Sequence, residues 1–77
     1  MADLSNLPQD LMRCTTVQTE AVIVFFVKLK LRDLRRRQDI CQGQRVEAFK
    51  QRNDLSMRNL QIVDSWLAEA IDRKEFS

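Results

Sequence analysis

The sequence predicts an all-α fold in which two main helices fold back as a hairpin and complete a bundle by dimerising or by docking onto a partner. Three observations carry that expectation. The 77 residues include one glycine, Gly43, and one proline, Pro8, too little turn chemistry for a sandwich or barrel. Apolar residues recur at heptad spacing along two long segments. Finally, 44% of the chain is hydrophobic, whereas a chain this short buries only about 60% of the surface it exposes when unfolded. Partner surface is therefore expected to finish the core.

Residues 1–14 make a polar arm with spaced leucines, Leu4, Leu7 and Leu11, and residues 15–77 make the helical domain. Pro8 suits the first turn of a short helix capped by Ser5 or Asn6, with a disordered arm as the alternative. Thr15-Thr16-Val17-Gln18 fits a capping box, in which Thr15 bonds forward to the Gln18 amide and Gln18 reaches back. The seam that follows reads Val17, Glu20, Val24, Val27, Leu31, Leu34, Gln38 and Cys41, six of the eight apolar. Gln42-Gly43 is the expected stop, because glycine takes the left-handed conformation without penalty. The first helix is thus placed over residues 16–42.

The second helix is placed over residues 45–73, with the seam Val46, Phe49, Asn53, Ser56, Leu60, Val63, Leu67 and Ala70. Its two polar members leave two readings open. Either the helix breaks around Arg52–Ser56, with Asp54 or Ser56 capping a fresh start, or polar residues in a continuous seam fix its register. A second stripe, Leu55, Ile62 and Trp66, gives this helix two neighbours.

One stretch also admits a strand. Ala21–Val27 is rich in β-branched and aromatic residues, and Val27–Arg32 alternates strictly between apolar and basic. A strand there needs a second chain to pair with, which makes a strand-helix-helix dimer the minor alternative. Over residues 27–71 that order of elements loosely resembles ribbon-helix-helix repressors, and the resemblance implies paired strands in the major groove of DNA. The Val22–Phe26 run has no counterpart in that arrangement, and Gly43 would fall inside its first helix.

Charge is unevenly spread. Residues 28–58 carry ten basic and four acidic side chains, a net of +6 within a chain of net +2. Lys28, Lys30, Arg32, Arg35, Arg36 and Arg37 form the densest part and are the candidate nucleic-acid-binding residues, since such a face lies well along a phosphate backbone. Against that, Asp64, Glu69, Asp72 and Glu75 are available to pair with the same run across an antiparallel hairpin or a dimer interface. No aromatic is interleaved with the arginines, which disfavours single-strand stacking.

Catalytic chemistry is thinly supplied. The chain has no histidine and no tyrosine, and its cysteines, Cys14 and Cys41, are too far apart for a zinc pair. They are expected to be reduced, partly buried thiols. One glycine cannot build a phosphate-cradling loop. No enzyme activity, cofactor or metal is expected. The most apolar run, Ala21–Val27, is far short of the roughly 20 residues that span a bilayer. With no targeting segment evident, a soluble, intracellular protein, cytoplasmic or nuclear, is expected.

The functional expectation is a small protein–protein interaction module: an adaptor, inhibitor, chaperone-like cover or assembly subunit. Its partner is itself or a larger protein, and its interface residues are Phe25, Phe26, Phe49, Leu60, Val63, Trp66 and Leu67. The alternative is a nucleic-acid-binding dimer using residues 28–58. A membrane-surface helix built on Val22–Leu31 ranks last, because the apolar residues there wrap around the helix instead of forming one face.

Overall fold

The computed structural model describes residues 9–76 and contains, within them, three α-helices and one 3-10 turn. The helices are α1 (Thr16–Val27), α2 (Leu31–Lys50) and α3 (Asp54–Phe76), and the turn is Leu11–Arg13. The arm's expected helix therefore reduces to a capped turn at Leu11–Arg13, and the part of it assigned to Ser5–Pro8 lies outside the described residues. No strand occurs among the described residues, so the strand-helix-helix alternative and its ribbon-helix-helix resemblance are set aside. The two-helix count is also corrected: among the described residues there are three helices, α2 and α3 forming a hairpin, because the chain breaks at residues 28–30 and 51–53, where no glycine stands, and continues through Gly43.

The capping box forms as its sequence dictates. Thr15 Oγ1 accepts from the Gln18 amide at 3.1 Å, and Gln18 Oε1 accepts from the Thr15 amide at 2.8 Å. From that start α1 runs only to Val27, and residues 28–30 reverse the chain. The alternating stretch sits in this reversal, with Val27, Leu29 and Leu31 half-buried and Lys28 and Lys30 in solvent. Turning here lets Leu34 reach the core, where it is fully buried. Lys74 Nζ donates to the Val27 carbonyl at 2.9 Å, so a cation satisfies an orphan acceptor at the C-terminus of α1.

Gly43 lies inside α2, and nothing stands within 4 Å of where its Cβ would be. The stop comes eight residues later. Arg52 takes φ 55°, while the Asn53 amide bonds to the Ala48 carbonyl and the Arg52 amide to the Phe49 carbonyl. That is the Schellman pattern, with arginine in the left-handed position usually given to glycine. Asn53, and not Asp54 or Ser56 as expected, then caps α3, its Oδ1 accepting from the Ser56 amide at 3.1 Å. Of the two readings of the Arg52–Ser56 stretch, the break is the one that forms.

α3 is the shared element. Both α1 and α2 pack on it, and they meet each other little. The core joins Val22, Ile23 and Phe26 of α1, Leu34 of α2, and Trp66, Leu67 and Ala70 of α3. Farther along the hairpin, Cys41 and Ala48 are buried, and the Cys41 thiol donates to the Leu60 carbonyl at 3.2 Å. Gly43→Ala tests the corrected boundary directly. Alanine in an open, mid-helix position raises stability by about 1 kcal/mol, measurable by urea denaturation, whereas a loss of stability would mean that α2 ends at Gly43.

Candidate interaction surface

Helix α1 carries apolar side chains on every side but is packed on only one. Val22, Ile23 and Phe26 turn toward α3. Val17 and Val24 point outward, 79% and 43% exposed. With Ala21 they floor a shallow apolar groove edged by Thr16, Glu20, Phe25 and Lys28. All seven lining residues belong to α1 and its C-terminal cap, so the groove has one wall. Such a surface cannot enclose a small molecule, which needs most of its area buried. It suits the flank of another helix.

A smaller apolar patch lies at the opposite end of the molecule. Val46 and Phe49 of α2 stand beside Met57 of α3, with Gln42 and Arg45 around them. Phe49 is 69% exposed. Val46 and Phe49 were expected on the seam of a helix over residues 45–73; because the break falls at residues 51–53, they belong to α2 and are exposed.

The basic run divides. Arg35 pairs with Glu75 at 2.9 Å and Arg45 with Asp64 at 3.8 Å, so part of the positive charge is met by α3 across the hairpin. Lys28, Lys30, Arg32, Arg36 and Arg37 are exposed and take part in none of the ion pairs among the described residues. They cluster at the α1–α2 reversal and the first turns of α2, and Lys28 also edges the α1 groove. A third set of charges docks α1 on α3. Arg73 donates to both Glu20 oxygens, at 2.6 and 3.1 Å, and to Glu69 at 3.2 Å. The Arg73 hydrogen bond holds the Glu20 carboxyl below the usual carboxylate range, and the two carboxylates push the guanidinium the other way.

The residues singled out in the sequence have separate fates. Phe26, Trp66 and Leu67 are buried in the core of this same chain; Phe25 and Val63 are half-buried against it; Leu60 is half-buried; Phe49 is exposed. Val17, Ala21 and Val24 were not singled out as a contact surface, since Val17 and Val24 were placed on an inward seam. Their 4-3-4 spacing with Lys28 was the legible signal, but it was masked by the apolar residues all around α1.

Among the described residues no group of three or more His, Cys, Asp or Glu is placed to hold a metal ion. Cys14 and Cys41 are both free. Burial first, and nearby carboxylates second, push both thiols up, so neither is held as the reactive thiolate. Among the described residues no helix is long and apolar enough to cross a membrane. No protein-family model, curated protein or solved structure matches the chain, so function is argued from the surface.

The Glu20–Arg73 pair adds a small, solvent-screened contribution to the acid limb of stability. A carboxyl depressed in the folded state contributes fully above its unfolded pKa and loses that contribution as pH falls through the lower folded value. Melting temperature should therefore drop as the solution is acidified below the ordinary carboxylate range. Glu20→Gln should flatten that limb slightly while leaving the chain helical at neutral pH, as followed by circular dichroism.

Proposed function

We propose that the chain is a non-enzymatic interaction module, acting as an adaptor, inhibitor, chaperone-like cover or assembly subunit, and that the outward face of α1 is its principal contact. The one-walled apolar groove carries this reading. Exposed Val17 and Val24 give up hydrophobic stabilisation that a partner's surface restores. A helix apolar all round is ordinarily one that is buried all round. The Val46–Phe49–Met57 patch supplies a second contact, and Phe49 is the member of the sequence-derived interface set most available to a partner.

The test is the paired substitution Val17→Lys with Val24→Lys. A face reserved for a partner tolerates it, because exposed changes alter stability by only about 0.5 kcal/mol. The melting temperature should hold, while the cross-links that the wild-type chain makes in its own cells should disappear. Unfolding of the variant, or an unchanged set of cross-links, would sink the reading.

A second reading rests on a separate observation, the five unpaired cations Lys28, Lys30, Arg32, Arg36 and Arg37. They fall within ten consecutive residues at the reversal and the first turns of α2, a concentration of positive charge suited to a nucleic-acid backbone, with Arg35 already engaged by Glu75. Its check is the anisotropy of labelled duplex DNA and RNA over a range of salt. Micromolar binding near physiological salt, with a log–log slope that shrinks by roughly two to three units in an Arg32/Arg36/Arg37→Ala variant, is its expected outcome. Absence of binding at that salt leaves the protein-partner reading alone.

A further inference from the structure

Resting on the reading of α1 as a contact face, we propose that its occupant is α1 of a second copy of this chain, laid antiparallel across it. The outward residues Val17, Ala21, Val24 and Lys28 are spaced by four, three and four positions, which is the alternation of a coiled-coil seam. A two-fold axis passing between Val22 and Ile23 sets Ala21 against Val24 of the second copy, and Val17 against its Lys28. Each apolar layer then joins a small residue to a larger one, and Ala21 lets the two helices approach closely. The aliphatic stem of Lys28 covers Val17 of the other chain. Its ammonium is left within reach of Glu20, one turn further along.

Charge argues for this occupant and this direction. Glu20 and Lys28 edge the same groove, so one face supplies both members of the ion pair. That self-complementarity is what an interface between identical copies requires. Glu20 is already held by Arg73, but a carboxylate has about four acceptor sites and accommodates a second donor. A parallel pairing would bring together Lys28, Lys30 and Arg32 of both copies. The antiparallel one sends the two basic clusters to opposite ends of the seam.

Size argues for a reversible assembly. α1 has 12 residues and is about 18 Å long, whereas a standard stable interface buries about 800 Å² on each side. The seam is shorter than that requires, so the dimer should dissociate on dilution.

The experiment is sedimentation equilibrium of the full chain over a wide concentration range, with Val17→Glu and Val17→Lys beside the wild type. Position 17 is 79% exposed, so both substitutions leave the fold intact. The wild type should show a monomer–dimer equilibrium. Val17→Glu places a carboxylate against Lys28 of the second copy and should keep dissociation within about threefold of wild type, whereas Val17→Lys sets like charges together and weakens the dimer roughly tenfold or more. Equal weakening by the two substitutions would overturn the antiparallel seam. A wild-type chain that stays monomeric throughout would overturn self-association altogether, yet leave the contact-face reading standing if the Val17/Val24→Lys pair still abolishes cross-links in cells.

Discussion

The structure depends on one constraint: α3 has two apolar stripes, and both must be covered. Leu67 and Trp66 are left only 1% and 6% exposed, in one core with side chains of both α1 and α2. Because each of the other helices is committed to α3, they meet each other little. The molecule is correspondingly thin, 38 × 25 × 17 Å along its principal axes. A helix on the outside of so thin a body has one inner and one outer side. For α2 the exposed residues are polar over the first turns, Arg32 and Arg36 among them, but Ile40, Val46 and Phe49 are left exposed farther along. For α1, whose sequence between Ala21 and Val27 is wholly apolar, it leaves valines in water. The exposed groove thus follows from the way the core is covered.

Polar contacts fix where α1 lies on α3 more than how strongly it is held. Arg73 and Lys74 are adjacent in the chain and grip α1 at two levels, Arg73 at Glu20 and Lys74 at the carbonyl of Val27. The ion pair is open to solvent, and pairs of that kind contribute little net stability. Burial of Val22, Ile23 and Phe26 against Trp66 and Ala70 supplies the attraction. What the two cations add is register. A slip of one turn along α3 would separate Glu20 from Arg73 and leave the last carbonyls of α1 without their donor.

Legibility in the sequence tracked how one-sided each helix is. The cap at Thr15 was readable because both halves of it are local. The α3 seam was readable because polar residues separate its stripes, and the expectation of two neighbours for that helix matches the packing of α1 and α2 on it. The phase of α1 was unreadable for the opposite reason. With apolar residues on all sides, the seam through Val17 and Val24 looked as good as the true one through Val22, Ile23 and Phe26. The reversal at residues 28–30 compounded this by resetting the phase, so a heptad valid for Leu34 and Cys41 was carried back into a helix where it does not hold. Gly43 was misread as the stop. Glycine permits a left-handed stop without requiring one, and here tertiary packing puts the stop at an arginine, where the chain must turn for Leu60 and Leu67 to meet α2.

The two readings of the surface meet at Lys28. It edges the α1 groove and also begins the unpaired basic cluster that continues through Lys30 and Arg32. A helix laid along the groove covers the stem of Lys28 and places a carboxylate near its ammonium, which lowers the positive field at the near edge of the cluster. A nucleic-acid backbone needs that same ammonium free and the field undiminished. Occupation of the groove and binding of a polyanion at the reversal are therefore antagonistic, and the coupling is reciprocal because each changes the free energy of the other's site by the same amount. Among the described residues no side chain of Asp, Glu, Lys or Arg belongs to the buried set, so such antagonism has no buried ion pair to run through. It is confined to the surface charges around residue 28, where salt screens it over about 8–10 Å.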